Sequence, residues 1–171
     1  EKPTLAGIKS GGTPFTWGAV KGPTEKTKDY ATCAWAAEQL ERDFDGKPFF
    51  MAVGYYRPHI PLFAPKKYFD IYPEESISLP PVAKGDLDDL EAAGRKTALE
   101  AVTAGAHATV LKHDQWKAAV RAYLACVSFV DAQVGRILDA LEKGPHSDNT
   151  IIVLWSDHGW HLGEKQHWGK W

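Results

Sequence analysis

Two short apolar runs, each leading into titratable residues, restrict this chain more than any other feature. Thr150-Ile151-Ile152-Val153-Leu154-Trp155 is rich in β-branched residues and passes straight into Ser156-Asp157-His158-Gly159. Phe49-Phe50-Met51-Ala52-Val53-Gly54, bounded by Pro48 and its own glycine, is followed by Arg57-Pro58-His59-Ile60-Pro61. Short, wholly apolar runs with such flanks read as strands buried on both faces. Between them a long helix is expected, with Asp114 as its N-cap. Trp116, Val120, Leu124, Val127, Val130, Val134, Ile137, Leu138 and Leu141 form its stripe, and Lys143-Gly144-Pro145 its stop. Strand, helical crossover, strand is the pattern of an α/β fold with a mostly parallel central sheet. In such sheets chemistry gathers beyond the carboxyl ends of the strands. Position alone therefore singles out Arg57, His59, Asp157 and His158.

The remaining chain is less patterned. Glu1 to about Lys28 is rich in Gly, Pro, Thr and Lys and reads as an irregular surface segment. A helix begins near Asp29, with Ala31, Ala34, Trp35, Leu40 and Phe44 on one side and Asp45-Gly46 as its stop. Lys66 to Tyr72 predicts a short helix closed by Pro73, and Asp86 to Val102 another. The 171 residues, 44% hydrophobic and 25% charged, suffice for one sizeable core. Twenty basic residues against 22 acidic give no electrostatic reason to expect nucleic acid. Cys33 and Cys126 are too few for a disulfide framework, lack zinc-ligand spacing, and read as small buried hydrophobes. No run is long enough to span a bilayer and no signal peptide is present; with Glu1 as first residue, that leaves the compartment open.

Three constellations carry chemistry. Asp157 and His158, released by Gly159, can both turn toward one cation; calcium would favour the carboxylate and zinc the imidazole. The same Asp can instead cap a turn. The stretch from Trp160 to Trp171 is dense in Gly, His and Trp and suits a loop lining a polar pocket. Within it Lys170 is either a cation held against aromatic surface or a solvated lysine. Trp160 and Trp168 either stack on a sugar ring or pack the loop. Pro58 and Pro61 stiffen the backbone around His59, which suits either a substrate contact or a histidine bonded to backbone.

In combination these residues resemble the sulfatases of the alkaline-phosphatase superfamily, nearest the iduronate-2-sulfatase branch. Tyr55-Tyr56-Arg57-Pro58-His59-Ile60-Pro61-Leu62 resembles their Lys/Arg-Pro-His-x-Pro segment. Trp155-Ser156-Asp157-His158-Gly159-Trp160, Leu162-Gly163-Glu164 and Trp168-Gly169-Lys170-Trp171 resemble their second metal-ligand motif and the loop after it. The resemblance covers about Trp17 to the last residue, including Phe129 to Arg136. It implies an alkaline-phosphatase-like three-layer sandwich, of which residues 1–171 form an incomplete part of the catalytic domain. It further implies a single Ca2+ held by Asp157 and His158, with His59 and Lys170 binding sulfate oxygens and His59 protonating the leaving alkoxide. Arg57 and Trp160 are expected at the substrate. The family's nucleophile is a formylglycine made in a Cys/Ser-x-Pro-x-Arg motif. Neither cysteine here has a Pro two residues on, and no Ser-x-Pro-x-Arg is present. Sulfatase activity is therefore expected of a parent protein and not of this segment by itself. That parent is expected in a periplasmic, secreted or lysosome-like compartment, acting on a sulfated saccharide or another sulfate ester. The alternatives are a two-zinc phosphatase or phosphodiesterase of the same superfamily, and a sugar-binding pseudoenzyme.

Overall fold

Phe15-Thr16-Trp17 alternates apolar and polar residues, and Phe15 and Trp17 are buried on one face of a strand. In the structure, a computed structural model describing residues 6–8, 15–99 and 107–170, that strand is the middle of a sheet. The elements in order are β1 (Ala6–Ile8), β2 (Phe15–Val20), α1 (Lys28–Leu40), β3 (Leu62–Pro65), α2 (Lys66–Asp70), α3 (Ala92–Leu99), α4 (His107–Lys112), α5 (Trp116–Lys143), β4 (His161–Leu162) and β5 (Trp168–Gly169). β1 runs antiparallel to β2, with Ala6 opposite Trp17. β3 runs parallel to β2, with Trp17 opposite Leu62 and Ala19 opposite Ala64. α1 lies between β2 and β3 in sequence, so the expected strand–helix–strand unit exists, built from different strands.

The core joins that sheet to α5. Phe15, Leu62, Tyr68, Phe129 and Trp168 are among its buried members. Burying each such side chain contributes roughly 1.5–3 kcal/mol. α5 packs against α1, α2 and β3. It does so largely through small residues: Ala119, Ala122, Ala125 and Cys126 are buried, while Val127 and Leu138 of the expected stripe are exposed. Small side chains let neighbouring backbones approach, so the buried face of α5 is rotated from its apolar stripe. α1 shows a similar change: it buries Asp29, Cys33, Ala36 and Leu40, at helical spacing, and leaves Trp35 54% exposed. It ends at Leu40, short of Asp45-Gly46, and Phe44 packs instead on Phe49 and His146.

Several expectations are corrected. Residues 15–20 form a half-buried strand, with Phe15 and Trp17 in the core, where an irregular surface segment was expected. The runs 49–54 and 150–155 are neither strands nor buried: Phe50 is 94%, Ile151 92% and Trp155 81% exposed. Strand propensity records how well a segment fits between neighbours, and among the described residues no neighbour pairs with either run. Asp114 does not cap α5; Gln115 occupies that position without a side-chain bond. Asp114 has φ +51° and closes α4. Its N–H donates to Leu111 O at 2.9 Å and that of Gln115 to Val110 O at 3.1 Å, the paired bonds of a Schellman motif. The helix expected over 86–102 is helical from Ala92 to Leu99; Val102 lies outside the described residues. The helix at Lys66, the stop at Gly144 and the burial of both free cysteines agree with expectation.

Candidate active site

The loop bearing His59 is anchored from α1. Asp29, in the first turn of α1, is buried, and its Oδ1 and Oδ2 accept the N–H groups of Tyr56 (3.0 Å) and Arg57 (3.2 Å). A carboxylate at a helix N-terminus with two N–H donors needs no side-chain counter-ion. Arg57 braces the same loop: Nε donates to Phe63 O at 2.7 Å and Nη1 to His59 O at 3.1 Å. Its guanidinium lies 5.0 Å from the Tyr56 ring centroid. The His59 ring packs 4.7 Å from Tyr56. His59 Nδ1 lies 2.7 Å from Ile60 O, and a carbonyl can only accept. Nδ1 therefore carries the proton in the neutral ring, leaving Nε2 for a ligand.

The Asp157-His158 pair is organised by its own turn. Ser156 Oγ donates to His158 O at 2.6 Å, and Asp157 Oδ1 accepts the His158 N–H at 3.1 Å. His158 Nδ1 lies 2.8 Å from Gly159 O, which again places the proton on Nδ1. Its Nε2 then faces Asp157 Oδ2 at 3.3 Å, on a carboxylate 84% exposed. Two ligands of one ion stand about that far apart at the usual bond lengths. The pair thus fits as two members of a cation site. Among the described residues no cluster of three or more His, Cys, Asp or Glu completes one.

After Gly159 the expected loop folds into a hairpin, with His161 opposite Gly169 and Leu162 opposite Trp168. Leu162 N–H donates to Glu164 Oε2 at 2.7 Å. Lys165 and Gln166 at the tip have φ +52°. Asp86 holds that unusual backbone by accepting the Lys165 N–H at 2.6 Å, and the Lys165 ammonium reaches Asp86 O and Asp89 Oδ1, both at 2.7 Å. Those bonds, that to Asp89 foremost, raise the Lys165 ammonium above its usual range. Underneath, Trp116 Nε1 donates to Leu162 O at 2.8 Å, Trp168 Nε1 to His107 Nδ1 at 3.0 Å, and His167 Nδ1 lies 2.8 Å from Ala98 O. Trp168 is 1% exposed and packs on Phe15, so it is a packing residue and stacks on no sugar.

His158, Gly159, Trp160, His161, Glu164 and Lys170 line one cleft of about 440 Å3. Three candidate residues, His158, Trp160 and Lys170, are brought together there. Asp157 stands beside His158 outside the lining, and Arg57 and His59 stay on their own loop. Sequence reasoning gave no role to Asp29, Asp86, His107, His161 or Glu164. Asp29 carried a local signal as an acidic residue opening a helix, and Glu164 stood in the Leu162-Gly163-Glu164 motif without a role of its own. Asp86 and His107 act through contacts 79 and 61 positions away, which no spacing reveals.

Fold and site together define part of an α/β domain whose cleft combines imidazole, ammonium and aromatic groups. The sequence profile of the Sulfatase family matches residues 8–171. A sulfatase of Formosa agariphila is 43% identical over 94% of this chain and 31% of its own length. Iduronate 2-sulfatase of Mus musculus is 38% identical over 72% of the chain and 24% of its length. That of Homo sapiens is 37% identical over 86% and 28%. The chain belongs to the sulfatase family, and it spans less than a third of the length of these relatives. Membership implies an alkaline-phosphatase-like α/β fold, with which the parallel β2–β3 pair and its helices agree.

Proposed function

We infer that this chain is part of the catalytic domain, a three-layer sandwich, of a protein that hydrolyses sulfate esters, with sulfated saccharides as the substrate class. The observation that carries this reading is the cleft shared by His158, Trp160 and Lys170, the last bringing an ammonium. Fixed positive charge at the non-bridging oxygens of a tetrahedral anion lowers the barrier as charge develops there. Lys170 has that role, with Trp160 as an apolar wall for the sugar. His59, its Nδ1–H donating to Ile60 O, presents Nε2 to the leaving oxygen and acts as general acid in its doubly protonated form, in which Nε2 carries the proton that is given up. Arg57 keeps the His59 loop rigid and has guanidinium donors left for substrate. Asp157 and His158 supply two ligands of a single calcium ion, which when bound adds fixed positive charge at the sulfate. The nucleophile, a formylglycine, comes from outside this chain. A periplasmic, secreted or lysosome-like compartment suits such a protein. No helix among the described residues is long and apolar enough to cross a membrane.

Sulfate release by the full-length protein from a panel of sulfated saccharides tests the reading. His59→Ala is expected to lower kcat by roughly 10²- to 10⁴-fold, and Asp157→Ala to weaken calcium binding together with turnover. Unchanged turnover in both variants would remove this site. Two bound zinc ions would indicate a phosphatase or phosphodiesterase, and saccharide binding without sulfate release a pseudoenzyme.

A further inference from the structure

Lys170 follows directly on β5, so whatever fixes β5 fixes the point from which the ammonium enters the cleft. The hairpin's own ladder is two residue pairs long, too short to be stable by itself. Its position comes from beneath. On one strand, Trp116 Nε1 donates to Leu162 O at 2.8 Å. On the other, Trp168 Nε1 donates to His107 Nδ1 at 3.0 Å, between two side chains buried from water. The His107 ring stands edge-on to Trp116, centroids 4.4 Å apart, and parallel to Trp168 at 6.5 Å. Gly163, at φ +128°, presses on the same group: a Cβ there would meet His107 Cε1 at 2.9 Å and Trp116 Cζ2 at 3.1 Å. One imidazole thus bonds to β5, lies beside Gly163 in the turn, and reaches β4 through Trp116.

We propose that His107 is a positioning residue for sulfate binding: by accepting from Trp168 Nε1 it sets β5, and through it the place of Lys170 in the cleft shared with His158. The bond needs an imidazole whose Nδ1 is bare, with its proton on Nε2. Burial lowers the pKa of His107 and preserves that state, against the opposing charge of Glu164. Neither His107 nor Trp168 lines the cleft, so His107 acts only through the hairpin. A displacement of about 1 Å at a group that binds the reacting anion can cost 10²-fold in rate.

The inference rests on the reading of Lys170 as the cation that binds sulfate, and the test separates the two. In the full-length protein His107→Leu is expected to lower kcat for sulfate release at least about 10-fold. His107→Asn, whose Oδ1 can accept from Trp168, is expected to restore most of it. In a Lys170→Ala background, His107→Leu is expected to add less than about two-fold, since residues acting through one another are not additive. Should His107→Leu not fold, Trp168→Phe removes the same bond from the donor side and serves in the same comparison. A loss of equal size with and without Lys170 would overturn the proposal, as would full activity in both His107→Leu and Trp168→Phe. Lys170→Ala with wild-type turnover would instead refute the sulfate-binding reading itself.

Discussion

Asp29 and Arg57, 28 positions apart, are joined through the backbone: Asp29 Oδ2 accepts the Arg57 N–H at 3.2 Å while Oδ1 takes that of Tyr56. This one carboxylate ties the start of α1 to the loop that presents His59. Asp29→Ala would leave two loop N–H groups without acceptors, at a cost of roughly 1–3 kcal/mol each where water cannot replace the bond. The expected result is a lower denaturation midpoint and a lower kcat for sulfate release. Asp29→Asn, which keeps one acceptor, should fall between. A wild-type midpoint in Asp29→Ala would show that the loop holds itself.

Acid should destabilise the region around the hairpin. Burial is the main cause lowering the pKa of both His107 and His167 from the ordinary 6.5. Glu164 pulls His107 the other way; for His167 the bond to Ala98 raises it and nearby His161 lowers it. Between the folded and unfolded values the unfolded chain binds more protons, so stability rises with pH across that window. The contribution is fully present above about 6.5 and shrinks below it. Thermal unfolding of the full-length protein at pH 5 to 8 should show this slope, and His107→Asn should flatten it. An identical slope in that variant would place the effect elsewhere.

Gly163→Ala should be harmful for two separate reasons. At φ +128° a Cβ is strained, and the added methyl meets His107 and Trp116 at 2.9 and 3.1 Å. A loss of about 1–3 kcal/mol is expected. Because the clash pushes on the hairpin, turnover should fall alongside stability. Gly46→Ala, also at positive φ but with open space around it, should cost stability and leave turnover unchanged.

Both thiols should resist alkylation in the native protein. Cys33 and Cys126 are fully buried, and burial pushes the Cys126 thiol up to about 12. Thiolate is the reactive form, so a native sample should stay unlabelled by iodoacetamide at pH 8 and label both positions in denaturant. Rapid native labelling of Cys126 would contradict the packing of α5 on α1 and β3.

Helix existence was legible because helices satisfy their backbone locally: α1, α2 and α5 all stand within the expected segments, although only α5 runs to its expected stop, α1 ending at Leu40 and α2 at Asp70. Their buried faces were less so, since Ala119, Ala122, Ala125 and Cys126 make up half of the buried residues of α5 and a simple apolar stripe gives them little weight. Strands were misread in both directions. Phe15 to Val20 finds a partner in Leu62 to Pro65, whereas the more strongly apolar Thr150 to Trp155 finds none among the described residues. Pairing is a property of two segments, and pattern reads one. The site divides in the same way. His158, Trp160 and Lys170 stood out by type and order, while Asp29, Asp86 and His107 sit under the site and are recognisable only by what they touch.

Ile151 to Trp155 set five large apolar side chains in a row against water, each more than half exposed. Such a stretch, free of Pro and charge, is a sticky template for any passing polypeptide. Produced by itself, this chain should therefore collect in inclusion bodies or as soluble aggregates. On the proposed reading of the chain as part of a larger catalytic domain, co-expression with the rest of that domain, more than a change of buffer, is the route to a tractable sample.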